Sequence, residues 1–525
     1  MKTIPTLVAA GVLALSLVAC GGGDEPGGNV VSGGTFTFVL GADPGNLDPH
    51  FTSLATAMQV DRFLYDSLVN IDENGEVVAG LAEKWSATTT EATFTLRKGV
   101  TCADGTPLTA TQVAANINFV GDPKNASTRM SVFVPAGATA VADDDAGTVT
   151  VTAPAPDSFL DRNVGGLHIV CAKGMADRDL LKQAGDGTGL YTMTDVVAND
   201  HYTLTRRKDY AWGPGEGWKA GPGLPDKVVL KIVGNETTSA NLLLSGSANA
   251  AAFVGPDQQR LRGQKLFQRD VLGIVGELWF NQEAGEAGAD ENVRRALVQA
   301  LDLDELNKVL TSGTGKRATG LVPPGFGPCD ADNIRDTLPR HDPAAAGKTL
   351  DEAGYRAGGD GKRAKAGTPL AITFFYPTTL GPTMQAGAEL VQKVWSELGV
   401  EVTLKGGTDA ETGQLAAGQL PWGAGFVPLN VSLPTQAVAF VSGPPAPDGG
   451  NFASIDNPDY TAGIVEAAKI AGTDGCDEWG EAEKALYEQV DVVPFANSNR
   501  PVFGKGAEFE LTQGSINPAT IRMVG

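Results

Sequence analysis

From Thr35 the chain alternates threonine and valine with large apolar residues, Phe36, Phe38 and Leu40 on one face and Thr35, Thr37 and Val39 on the other. That period of two predicts a β-strand with one face in a core. It runs into the loop Gly41-Ala42-Asp43-Pro44-Gly45-Asn46-Leu47-Asp48-Pro49. Thr93 to Leu96, Thr148 to Thr152, His201 to Thr205 and Val228 to Val233 read as further strands by alternation or β-branched content. Between them, Thr109-Ala110-Thr111-Gln112 has the spacing of a capping box and opens a helix with Val113, Ile117 and Val120 on one face. The first half is thus mixed α/β with more strand than helix. Near Trp279-Phe280-Asn281 the period changes: Val293, Leu297, Ala300 and Leu301 recur at helical spacing, and Asp304 is placed to cap a second helix bearing Leu306, Val309 and Leu310, ended by Gly313. Leu370 to Tyr376 has strand length, a helix from about Thr383 to Leu398 is stopped by Gly399, and Val400 to Leu404 makes the next strand. Such a βαβ unit requires a parallel pair with a right-handed crossover.

The N-terminus has a different character. Lys2 precedes an apolar run from Leu7 to Ala19, too short for a membrane-spanning helix but of the length of a secretory core segment. The run ends in Leu17-Val18-Ala19-Cys20, which resembles a bacterial lipobox, so residues 1–20 are expected to be a lipoprotein signal with Cys20 as the lipidated residue. The glycine-rich stretch behind it, within residues 21–34, has few side chains to pack and is expected to act as a tether. No later stretch has the apolar length of a membrane span, so lipid is the expected anchor.

Composition narrows the function classes. At 525 residues and 42% hydrophobic, the chain has material for more than one core. Its net charge of −22 would repel a phosphate backbone, which argues against a nucleic-acid partner. With Cys20 consumed, Cys102, Cys171, Cys329 and Cys476 remain, and an even set in an exported chain suggests two disulfides with three pairings open. No C-x-x-C occurs and the four histidines are scattered, so no metal site is expected. Hydrolase motifs are missing: there is no G-x-S-x-G and no H-E-x-x-H. Gly347-Lys348-Thr349 matches the end of a phosphate-binding loop, but Asp342 stands where its first glycine belongs. No catalytic residue and no cofactor is therefore expected.

Several runs together carry more information than any of these. Leu64-Tyr65-Asp66-Ser67-Leu68-Val69, Val77-Val78-Ala79-Gly80-Leu81-Ala82-Glu83-Lys84-Trp85, Phe94-Thr95-Leu96-Arg97-Lys98-Gly99-Val100 and Asp104-Gly105-Thr106-Pro107-Leu108-Thr109 occur in order. They are followed by Gly187-Thr188-Gly189-Leu190-Tyr191, Phe280-Asn281, Val293-Arg294-Arg295-Ala296-Leu297 and Asp351-Glu352-Ala353-Gly354-Tyr355. This set resembles the family 5 extracellular solute-binding proteins, the oligopeptide, dipeptide and nickel type receptors of ABC importers, over nearly all of the chain after the leader. The resemblance implies an α/β, two-lobed periplasmic-binding-protein fold with mixed sheets, a hinge between the lobes and an extra subdomain in the first lobe. It places residues 35–279, completed by 495–525, in lobe I and residues 280–494 in lobe II. On those boundaries Cys102 with Cys171 and Cys329 with Cys476 would each lie within one lobe.

The implied function is an extracytoplasmic receptor, expected to be a monomer, that closes on a peptide or similar small solute and hands it to the importer's permease subunits. The runner-up is an oligosaccharide receptor of the same fold, and behind it a surface-attached hydrolase. Ligands of such folds sit beyond the carboxyl ends of strands, which favours Ser53 and Leu54 after the first loop, Asn281 at the crossing, Tyr376 at its strand end, and Trp422, Phe426 and Phe452 from lobe II. Peptide receptors of the family place an acid after the segment matching Trp422 to Pro428, to pair with the peptide's amino group. Gly425 through Pro434 contains no Asp or Glu here, which leaves neutral solutes open and suits an exposed Trp422 to stacking on a sugar.

Overall fold

The structure is a computed structural model that describes residues 29–52, 54–429 and 431–525. The leader, Cys20 and most of the glycine tether lie outside the described residues. Among the described residues an 11-stranded sheet runs through the molecule, and its two longest strands, Phe267–Phe280 and Val492–Gly504, pair antiparallel along their length. At one end Val502 to Gly504 pairs with Ala250–Ala252, which leads through Thr35–Leu40 to Lys227–Ile232. At the other end Leu278 to Phe280 pairs with Ala424–Phe426. The two strands are therefore the links between the halves. Their register slips around Gly276, where a Cβ would stand 2.5 Å from the Phe495 ring, so only glycine fits at that irregularity.

The cores divide accordingly. Phe36, Phe38, Phe63, Leu68 and Phe94 share one core with Val502, Phe509, Ile516 and Ile521 from the end of the chain. A four-stranded antiparallel sheet of Ala82–Ala87, Glu91–Leu96, Thr148–Thr152 and Thr139–Asp143 forms the extra subdomain of this half. The helix Ala110–Gly121 lies on it, opened by the Thr109 and Gln112 capping box and burying Val113, Ile117 and Val120. In the other half the sheet is covered on both faces. Leu278, Phe280, Phe374 and Phe426 point to one cluster, whereas Trp279, Phe375 and Val427 point to a second.

The βαβ unit has parallel strands Ala371–Pro377 and Glu401–Gly407 joined by the helix Pro382–Glu397, with Gly399 at φ +87° ending the turn. One expectation is corrected. The helix Leu303–Leu310 is capped by Asp302, whose carboxylate accepts the amides of Asp304 and Glu305 at 3.0 Å, while Asp304 lies inside the first turn. Both disulfides are present, Cys102 to Cys171 and Cys329 to Cys476. Among the described residues no helix is long and apolar enough to cross a membrane.

Candidate functional site

A cavity of about 120 Å³ opens where the two halves and the end of the chain meet. Arg62, Tyr65, Asp66, Arg129 and His168 line it from the first half, Gly327, Pro328, Ser432 and Gln436 from the second, and Thr512, Gln513 and Asn517 from the C-terminal segment. Local structure explains each wall. The helix Ala55–Leu64 buries Val60, Phe63 and Leu64, which turns Arg62 toward the C-terminal segment; there its guanidinium donates to Thr512 Oγ1 at 2.7 Å and Gln513 Oε1 at 2.9 Å. Gln59, one position short of a helical turn away, ties the same helix to Ile516 through amide bonds of 2.7 and 3.2 Å.

Arg129 follows the extra subdomain's helix and points back to the first loop, donating from Nε to the Pro49 carbonyl at 3.2 Å with its guanidinium 5.5 Å from the Phe133 ring. Burial pulls the pKa of Arg62 and of Arg129 down to about 10, which leaves both charged at neutral pH. His168 stacks on Tyr65 with ring centres 6.2 Å apart. Its pKa falls to about 3, first through burial and then through the charges of Arg62 and Arg129, so its imidazole is neutral.

Asp66 is fully engaged. It accepts from Tyr210 Oη at 2.9 Å, Thr188 Oγ1 at 2.9 Å and Trp212 Nε1 at 3.0 Å. Burial nevertheless raises its pKa, against the lowering by these donors. On the opposite wall, Gly327 abuts the Ser432 carbonyl so closely that a Cβ would stand 1.9 Å from the oxygen. Any side chain there would push two parts of the wall apart. Gln436 accepts the Ser432 amide at 3.0 Å and donates to Asn163 of the first half at 3.2 Å, so the rim is already bridged.

None of the described residues read from the sequence as ligand contacts lines this cavity. Ser53 lies outside the described residues, and Leu54, partly exposed, stands at the N-cap of the helix that carries Arg62. Asn281 donates to the Trp422 carbonyl at 3.1 Å, and Phe452 packs on Trp279 at 4.8 Å and on Trp422 at 5.9 Å, so the structure gathers these three. The exposed Trp422 expected from the sequence is corrected: it is only 6% exposed, because the Phe452 ring and the surrounding aliphatic cluster cover it. Tyr376 is buried in the other cluster, where Phe426 meets Phe374 edge to face at 4.9 Å. The sequence reading missed Arg62, Arg129 and His168. Arg62 lies next to Asp61 in the helix Ala55–Leu64, just ahead of the Leu64 to Val69 run, and nothing in that local pattern marks it as a cavity residue.

Residues 76–437 match the model of the bacterial extracellular solute-binding proteins, family 5. A glutathione-binding protein, GsiB, of Pectobacterium atrosepticum is 26% identical over 78% of this chain and 74% of its own length. The periplasmic murein peptide-binding protein MppA of Escherichia coli is 25% identical over 86% of this chain and 85% of its own. Among solved structures, a substrate-binding protein of Microbacterium hydrocarbonoxydans complexed with 4-hydroxybenzoate hydrazide superposes with a TM-score of 0.80 at 26% identity, covering 93% of this chain and 99% of that one.

Proposed function

The chain belongs to the family 5 bacterial extracellular solute-binding proteins, and from that premise we propose that it delivers a peptide-class solute to the permease subunits of an ABC importer. The observation that carries this reading is the cavity itself, walled by both halves and the C-terminal segment, with two paired strands crossing from one half to the other. A ligand bridging such walls is held only when they approach, so binding favours the closed arrangement. The peptide class is supported by relatives named for murein peptide and glutathione binding. Transformation of the solute forms no part of the proposal.

The remaining parts of the reading belong here too. Residues 35–279 with 495–525 form lobe I and 280–494 lobe II, and the protein acts as a monomer. Cys20 carries a lipid that holds it on the outer face of the cell membrane, supported by the run Leu17-Val18-Ala19-Cys20 and the glycine-rich stretch behind it. Leu54, at the entry of the helix bearing Arg62, is proposed as a ligand contact, and so is Ser53, the residue before it in the sequence. Asn281, Tyr376, Trp422, Phe426 and Phe452 are proposed to act on the ligand by setting the shape of lobe II behind the cleft.

The test is mass spectrometry of solute retained by the purified protein, followed by calorimetry with that compound. Saturation at about a hundred times Kd should add about 2.7 kcal/mol of stability and compact the particle in solution scattering. Chemical turnover of the retained solute would sink the receptor reading.

A further inference from the structure

A second cavity, of about 20 Å³, lies against the linking strands and shares no lining residue with the larger one. Val254 and Gln258 reach it from the first half, Thr383 and Met384 from the second, and Ser498 and Arg500 from the strand Val492–Gly504. It opens on the other face of the sheet. The helix Asp257–Arg262, which carries Gln258, packs Leu261 with Val39 and Phe503, whose neighbours Phe38 and Val502 point to the core shared by the helix bearing Arg62. Whatever fills this cavity is therefore separate from the solute in the cleft.

The polar lining consists of hydrogen-bond donors left over by the fold. Arg500 lies along Gly273, where a Cβ would stand 3.3 Å from its Nε, and donates from Nη2 to the Ile274 carbonyl at 2.8 Å. Its Nε is buried without a partner. Burial alone lowers the pKa of Arg500, no carboxylate acts against it, and the group stays charged at neutral pH. Gln258 is only 8% exposed, and among the described residues its carboxamide has no hydrogen-bond partner.

The 16-residue helix Pro382–Glu397 starts at the same place. Its N-cap is Gly381, which has no side chain to offer, and Pro382 has no N–H. The Met384 amide reaches the Gly381 carbonyl at 3.2 Å, while the Thr383 amide meets no acceptor among the described residues. The positive end of the helix dipole is thus left open beside Arg500. No Asp or Glu lines the cavity. The carboxylates nearest in sequence to its walls are engaged elsewhere: Asp257 with Arg260 and Thr237, and Asp409 with Thr379.

We propose that this cavity is a site for a small inorganic anion of about chloride's size, held by Arg500, the Gln258 carboxamide and the open start of the helix Pro382–Glu397. The volume fixes the class, since one water needs about 10 to 15 Å³ and a polyatomic anion such as phosphate needs several times more. A charged guanidinium out of water is costly without a counter-charge, and a bound anion supplies it. Because Gln258 comes from the first half and the helix from the second, the anion ties the halves together from behind the linking strands. This goes beyond the receptor reading and does not depend on it.

The experiment follows melting of the full-length protein as chloride replaces gluconate, an anion too large for the cavity, at constant ionic strength. Wild type should gain about 2 °C, saturably, relative to Arg500→Gln and to Gln258→Leu, which share any general salt effect. Crystals grown in sodium bromide give a reading that needs no variant: anomalous density is expected in the cavity, between Arg500, Gln258 and the start of the helix. Water there without anomalous density would overturn the proposal. So would a chloride dependence that is the same in wild type and both variants. Density that appears only at molar bromide, with no chloride effect on melting, would mark an adventitious ion only and would also remove the site.

Discussion

The hydroxyl of Ser158, in the first half, accepts a hydrogen bond from Trp479 Nε1 of the second at 3.0 Å and donates to the Ala467 carbonyl at 2.9 Å. The Gly472 amide reaches the Ser158 carbonyl at 2.7 Å, and Phe159 packs into a small cluster with Leu433, Ala467 and Trp479. These contacts hold the halves together away from the linking strands, so they contribute to the closed arrangement and not to either core. Ser158→Ala should therefore leave the melting of each half nearly unchanged, yet lose about 1 kcal/mol of closure and weaken ligand binding about fivefold. Scattering from the ligand-free variant should show a more open particle, and an unchanged radius with unchanged affinity would remove the latch role.

Glu277 is completely buried; one oxygen accepts the Leu429 amide at 2.7 Å, and the Trp279 side chain is its other polar neighbour. Burial pushes its pKa from 4.5 up to about 8. Across that window the folded protein keeps a proton that the unfolded chain has lost, so the contribution of this group to stability falls as pH rises. Glu277→Gln keeps an acceptor for Leu429 and cannot ionise. It should be more stable than wild type at pH 8, by about 3 to 5 kcal/mol if nothing else relaxes, with the gain shrinking toward pH 4.5. Calorimetric melting at the two pH values checks this, and a difference that does not vary with pH would show that Glu277 is not the titrating group.

The Cys329 to Cys476 bridge spans 147 residues and anchors the segment ahead of it, whose Phe326, Gly327 and Pro328 line the cavity. Replacing both cysteines by serine should cost about 4 to 5 kcal/mol in the chain-entropy model and also weaken binding through the loosened wall. Removing the Cys102 to Cys171 bridge should lower stability with a smaller effect on affinity, since neither residue lines the cavity. Melting and calorimetry on the two double variants separate the cases.

Trp422→Ala tests whether the second-half aromatics support the cleft or touch the ligand. At 6% exposure, truncation should cost about 3 kcal/mol or more of stability. A variant that melts like wild type but binds poorly would place Trp422 against the ligand.

Cys20→Ala should move the protein from the membrane fraction to the soluble fraction. Equal partitioning of variant and wild type would dismiss the lipid anchor.

Local periodicity was enough for several elements of this fold, though not for the two long strands Phe267–Phe280 and Val492–Gly504 that link the halves. The alternation at Thr35 to Leu40, the capping box at Thr109 and the strand, helix and strand from Leu370 to Leu404 each involve neighbours in sequence, and each is found within a residue or so of its expected place, save that the last strand runs three residues further, to Gly407. The architecture was implied only by the resemblance of the ordered family runs; turns such as Asp104-Gly105 depend on residues close by, whereas Leu68 shares its core with Phe509 and Ile516 from the far end of the chain. The cleft was not legible. Arg62 and Gln513 are 451 positions apart, and Arg129 meets a carbonyl 80 positions before it. Nor does hydrophobicity tell which side of a sheet an aromatic serves: Trp422 reads equally as a cleft residue or as core, until Phe452 is brought over it by the tertiary fold. A charge reveals its role only when its surroundings are known, because an arginine paired with a carboxylate, as Arg294 is with Asp491, and one bonded to neutral groups, as Arg62 is, are the same letter in the chain, and only packing of distant segments decides which it is.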